Sequence, residues 1–194
     1  GGMRIEELPR KFAAVATEVG TGHEIWLSRG DLVTAMRASY ALPGVFEPVR
    51  MDGRWLFDGA LTNPVPITAC RALGADLVIA VNLNADSVGR GTVIQDHVRL
   101  QGQESPVHNA PILGRKAGSL GMATVMVDAF NITQDRITRS RLAGDPPDVM
   151  LSVKVGKIGL FEFHRADEAI ALGREAARRA VPDIREQIGQ MASL

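Results

Sequence analysis

Apolar and polar positions along the chain switch between a period of two and a period near four, and the switches mark the elements. "FAAVATEV" (12–19) is small and apolar, and after the turn "GTG" the stretch "HEIWLS" (23–28) reads as its hairpin partner. Ser28 and Asp31, three apart, give a capping-box-like start to a helix over about 31–41, where Leu32, Met36 and Tyr40 recur on one face. Pro43 stops it. "FEPVRMDGRWLFDG" (46–59) predicts a second hairpin, because Asp52-Gly53 is a strong tight-turn pair between two short strands. A helix over 65–73 then ends at Gly74. "DLVIAVN" (76–82) follows as a nearly continuous apolar strand, the pattern of a strand buried on both faces in a parallel sheet covered by helices.

From Asn84 to Pro111 no period holds, and a long flexible loop over 84–111 is expected. A helix over about 112–140 is predicted from Leu113, Ala117, Leu120, Thr124 and Val127, which alternate spacings of four and three. Met122, Met126 and Phe130 add a second apolar stripe, so this helix is expected to be covered on more than one side. "DVMLSVKV" (148–155) alternates as a strand should. The last helix, 166–190, presents Ala169, Gly173, Ala176, Ala177 and Ala180 for close packing, with Pro182 as a kink or break. Strands and helices in near alternation predict an α/β domain, a layered and mostly parallel sheet covered by helices.

Composition narrows the partners more than it names them. At 194 residues and 45% apolar the chain suffices for one well-cored domain. Lys plus Arg and Asp plus Glu are equal at 22 each, so no basic field recruits nucleic acid. Cys70 is the single cysteine, which excludes an internal disulfide framework and points to a reducing, cytoplasmic compartment. Within its helix it is expected to be a buried thiol. No apolar run reaches the length of a spanning helix.

Candidate chemistry is sparse. His23, His97, His108 and His164 are far apart, without ligand spacing or an acidic companion, and hydrogen-bonding or surface histidines are the simpler reading. Ser119 in "KAGSLGMA" sits between glycines, but position 117 is Ala, so the Gly-x-Ser-x-Gly elbow is not formed, and it occurs nowhere else in the 194 residues. "GGMR" at the start resembles a piece of a glycine-rich loop and has no strand before it; a linker is the simpler reading. Asp58 in "RWLFDGALTNPVP" (54–66) would by itself be a turn residue.

The flanks of Asp58 change that reading. "ASYALPGVFEPV" (38–49), then Asp58-Gly59-Ala60, then Asn63-Pro64-Val65-Pro66 and the apolar strand resemble the patatin-like phospholipase family. "FAAVATEVGTGHEIWLSRGDL" and "GLFEFHRADEAIALGREAA" (159–177) are similar to its bacterial branch related to the neuropathy-target-esterase catalytic domain. The resemblance covers most of the chain. It implies an acyl-ester hydrolase working through a Ser-Asp dyad without histidine, with neither cofactor nor metal, and it maps the aspartate onto Asp58, supported by Gly59 and Ala60. The physical demand is a carboxylate within reach of a serine hydroxyl, in surroundings dry enough to raise its basicity. Gly59, lacking a Cβ, would let the backbone pass close to a neighbouring segment.

The same resemblance implies that the nucleophile is supplied from elsewhere. In that family the glycine-rich loop and the serine precede the segment matched by "FAAVATEV", so residues 1–194 read as the C-terminal portion of one patatin-like domain, incomplete at its N-terminus. Ser39, in the helix-ending part of the motif, is read as structural. The expectation is a chain inactive alone, stable with the N-terminal half bound, as a homo-oligomer or as a rearranged fold, since strand edges and apolar faces would otherwise be exposed. The substrate implied is a lipid or a smaller acyl ester. For a lipid, peripheral membrane contact would fall near the methionine-bearing helix, whose stripe is otherwise core. A regulatory or binding module that keeps the fold without turnover is the alternative.

Overall fold

In the computed structural model, residues 2–83, 122–159 and 162–193 are described. The predicted loop over 84–111, the start of the helix predicted from 112, and Ser119 lie outside them.

Both predicted hairpins form and share one sheet. Strands β1 (Ala14–Glu18), β2 (Glu24–Leu27), β3 (Val49–Met51) and β4 (Arg54–Asp58) are ordered β2-β1-β4-β3, every pair antiparallel. The turn between β3 and β4 places Asp52 at φ 48° and Gly53 at φ 81°. Two successive left-handed residues are what the tightest hairpin turns need, because their twist matches that of the strands. β1 is an inner strand, with Thr17 opposite Glu24 on one side and Phe57 on the other.

Helix α1 (Leu32–Ser39) covers this sheet. Asp31 caps it, accepting from the Thr34 N–H at 2.8 Å, so the cap is Asp31 itself rather than the Ser28-Asp31 box expected. Ala35 and Ala38 are fully buried, and with Ile5, Ala14, Ala16, Leu27 and Leu56 they make the core beneath the helix.

The expected mostly parallel sheet is corrected. Among the described residues the parallel pairing is a single one, β5 (Ile79–Asn82) with β6 (Val149–Ser152), in a separate two-stranded sheet. The physical reason lies in the connections. Turns of a few residues join β1 to β2 and β3 to β4 and can only reverse the chain, whereas β5 and β6 are separated by a crossover containing helix α3 (Met122–Gly144). The α/β class stands.

Helix α2 (Ile67–Ala72) ends at Leu73, with Gly74 at φ 90° after it. Ile67 and Ala69 take its buried side, which leaves Cys70 exposed and not the buried thiol expected. β5 was expected to be buried on both faces; Val78 and Ala80 are buried, but Ile79 and Val81 are 42% and 52% exposed. Its register against β6 is held by Asp148, whose carboxylate accepts from the Val78 N–H at 2.7 Å.

Helix α3 also differs from its prediction. Met126 and Ile132 are exposed, and its buried residues include Asp135 and Thr138. Met126 of the methionine stripe is therefore not core. Helix α4 (Ala166–Met191) packs Ala176 and Ala180 as its small-residue stripe predicts, the latter against Val149 and Leu151 of β6. It runs unbroken through Pro182. Loss of one N–H is tolerated where Ala180 and Ile184, on either side of it, are anchored to the sheet.

Candidate active site

Asp58 ends β4, and the chain turns at once into a 3-10 turn, Gly59–Leu61. Its backbone N–H donates to the Ala41 carbonyl at 3.0 Å, which ties the strand end to the segment leaving α1. Its Oδ1 accepts from the Ala60 N–H at 2.8 Å. Ala60 thus supports the aspartate through its backbone, a role any residue but proline could fill there. Oδ2 has no hydrogen-bond partner among the described residues.

Gly59 is required by proximity rather than by conformation. A Cβ at this position would lie 2.2 Å from the Val15 carbonyl oxygen and 2.5 Å from its carbon. The segment that passes close is therefore β1. The Gly59 carbonyl in turn accepts from the Thr62 N–H at 3.0 Å and the Asn63 N–H at 2.8 Å, closing the turn on itself.

The carboxylate opens into a pocket of about 370 Å³ whose lining includes Phe12, Val15, Met36, Ser39, Asn63 and Pro64. Among the described residues Asp58 is the one charged side chain in that lining. Burial pushes its carboxyl above the ordinary aspartate value, and the Ala60 N–H pulls only partly the other way. No cation among the described residues favours the ionised form. The result is a half-buried carboxylate with one oxygen fixed and one free, facing a mostly apolar space: an arrangement suited to accepting a proton from a hydroxyl brought into the pocket.

Ser39, the last residue of α1, lines the same pocket but makes no hydrogen bond to Asp58. His23 and His164 are exposed and distant in the chain from Asp58, and no group of three His, Cys, Asp or Glu among the described residues is arranged to hold a metal. No helix among the described residues is long and apolar enough to cross a membrane.

Two supports around the turn, Thr17 and Asn63, have partners that motif reading does not give. Thr17, 5% exposed in β1, donates its hydroxyl to the Asp58 carbonyl at 3.0 Å and lies 3.1 Å from the Thr62 hydroxyl. Asn63, 3% exposed, donates from Nδ2 to Glu24 at 2.8 Å. Glu24 also accepts from Trp26 Nε1 at 2.7 Å and from Arg141 at 3.0 Å, linking α3 to the same turn. The available signal was a lone hydroxyl inside the apolar run "FAAVATEV", since a buried hydroxyl must find a partner.

Known proteins resemble the chain along nearly all of its length. Residues 1–71, a span containing the Asp58 turn, match the patatin-like phospholipase model. Two NTE family proteins of Mycobacterium tuberculosis, both uncharacterized, are each 30% identical to the chain, over 93% and 95% of its length. A lysophospholipase NTE1 of Pyricularia oryzae is 22% identical over 96% of it. The chain spans 65%, 31% and 12% of the length of these three relatives. The match over the segment that holds Asp58 and the relatives along nearly the whole chain point the same way: the chain is patatin-like over residues 1–71 and related to the NTE family proteins along nearly its whole length.

Proposed function

We propose that the protein is a serine ester hydrolase acting on lipid or other acyl esters, and that Asp58 is the general base of a Ser-Asp dyad. The observation that supports this reading is the carboxylate itself: one oxygen held by Ala60, the other free, in a pocket without a competing charge. In the proposed step the free oxygen of Asp58 takes the proton of a serine hydroxyl as the serine oxygen attacks the acyl carbon; the adduct then breaks its bond to the alcohol, which leaves with that proton while the acyl group stays on the serine. The burial that raises the carboxyl's pKa makes it the stronger base. Gly59 and Ala60 hold the turn that aims it. The serine is proposed to come from outside these 194 residues, with residues 1–194 forming the C-terminal portion of the domain, and Ser39 keeping a structural place at the end of α1.

Lipid substrates would bring the pocket mouth to a membrane or micelle surface, where Phe12 and Met36, 36% and 53% exposed, would meet acyl chains. A binding module that keeps the fold without turnover is the second reading, favoured by the absence of Gly-x-Ser-x-Gly from the 194 residues.

The test is hydrolysis of a chromogenic short-chain ester by the protein expressed from its complete reading frame. Asp58→Asn is expected to lower kcat by about a thousandfold, the scale of one acid–base group. In the unaltered protein, turnover should rise with pH as Asp58 ionises, at a pH above the ordinary aspartate range. Undiminished turnover in Asp58→Asn would refute the dyad. No turnover in either protein, with ligand still bound, would favour the second reading.

A further inference from the structure

The hydroxyl of Thr17 lies on the opposite strand from the aspartate and touches neither the pocket nor the carboxylate. We infer that Thr17, working with Thr62, is a positioning residue that holds the Asp58 turn in its working orientation. The inference rests on the dyad reading above for its kinetic consequences and on geometry alone for its structural ones.

β1 is buried along Ala14, Val15, Ala16 and Thr17, so both of its faces are covered. Ala14 and Ala16 belong to the core under α1. By strand alternation Val15 and Thr17 face the other way, and the 59–62 turn lies over them. Val15 meets that turn at Gly59, and Thr17 meets it at Asp58 and Thr62. A valine would fill the Thr17 site equally well by volume, so the hydroxyl is the informative atom.

That hydroxyl has one proton, and it is donated to the Asp58 carbonyl at 3.0 Å. Thr62 is then the donor in the hydroxyl pair, its proton divided between Thr17 Oγ1 at 3.1 Å and the Gly59 carbonyl at 3.2 Å. The two threonines run as a short polar chain beneath the turn and fix the carbonyls of Asp58 and Gly59, which belong to the 58–59 and 59–60 peptides. The first of these adjoins the Asp58 side chain, and rotation of the second would carry its Ala60 N–H away from Oδ1, breaking the one hydrogen bond the carboxylate makes among the described residues. Thr17 therefore acts on the reacting group through the backbone. Among the described residues the pocket lining carries no ionisable side chain besides Asp58, the other polar side chains there being Ser39 and Asn63, so a change in Asp58's titration reports the turn and not another charge of that lining.

The experiment uses the protein expressed from its complete reading frame, with Thr17→Val, Thr17→Ser and Thr62→Val. Two quantities are read: the ionisation of Asp58, followed by carbon NMR of labelled aspartate with Asp58→Asn to assign the signal, and the pH profile of ester hydrolysis. Thr17→Val is expected to raise the Asp58 pKa above that of the unaltered protein and to lower kcat about tenfold with KM within about twofold, the scale of one lost hydrogen bond. Thr17→Ser should restore both, and Thr62→Val should show the same changes at smaller size. An unchanged Asp58 pKa in Thr17→Val with only a lower melting temperature would overturn the inference, as would a Thr17→Ser protein as impaired as Thr17→Val. If Thr17→Val fails to fold, Thr62→Val and Thr17→Ser carry the same two readouts. The NMR arm stands even if Asp58 proves not to be a base, because it needs no turnover.

Discussion

The antiparallel sheet with α1 and the parallel pair β5–β6 with α4 are built from similar residues and finished to different degrees. In the first, Leu56 is 1% exposed and Ala16, Ala35 and Ala38 have no measurable exposure, so strand and helix close on each other. In the second, α4 covers Val149 and Leu151, but Ile79, Val81 and Leu83 remain 42%, 52% and 53% exposed. The aspartate sits on the closed side. A carboxylate whose direction matters requires a backbone that cannot drift, and packing of native density supplies it. The open side leaves apolar surface on β5 and just after it, where the closed side leaves none under α1.

Substitutions separate the two regions most sharply in their cores. Leu56→Ala should cost about 2–5 kcal/mol, whereas Val81→Thr on the exposed face of β5 should stay within about 0.5 kcal/mol. Chemical denaturation of the two variants measures the contrast, and equal losses would erase it. Next in size is Gly59→Ala, where the added methyl meets Val15 backbone atoms that cannot move without disturbing β1. About 1–3 kcal/mol of destabilisation is expected, together with loss of hydrolysis out of proportion to it, because the displaced group is the Asp58 turn.

The smallest effect has the opposite sign. Asp58's folded pKa is raised, so its contribution favours folding most below the ordinary aspartate value of 3.8 and is lost as pH rises through the folded pKa. Asp58→Asn removes the buried charge while keeping an oxygen for the Ala60 N–H, so the melting temperature should rise at neutral pH and match the unaltered protein in acid. A melting temperature lowered at neutral pH would mean that the ionised carboxylate has an attractive partner, which its surroundings here do not provide.

How much of this was legible in sequence depends on whether the signal was local. Asp52-Gly53 and "GTG" fix their hairpins because turn residues act over a few positions, and Asp31 caps α1 for the same reason. Asp58, Gly59 and Ala60 were singled out through their flanks, and Gly59 does let the backbone pass close to a neighbouring segment, which is β1. The errors came where a run was interpreted through partners that the run itself does not name. "DLVIAVN" suggests two covered faces, yet what lies on Ile79 and Val81 is set by other segments. The methionine stripe of α3 reads as core, yet Met126 proves exposed. Sheet direction depended on connections: two hairpins outweigh one crossover. Thr17 escaped notice because its partners are 41 and 45 residues away, and no local pattern announces a hydroxyl aimed at a distant carbonyl.

The central claim is that the free oxygen of Asp58 meets a serine hydroxyl. The most direct measurement is a crystal structure of the protein expressed from its complete reading frame, in which a serine Oγ is predicted to lie about 2.6–3.2 Å from Asp58 Oδ2, with Oδ1 still on the Ala60 N–H. A pocket in which Asp58 faces only solvent, or in which both its oxygens are taken by backbone N–H groups, would contradict it.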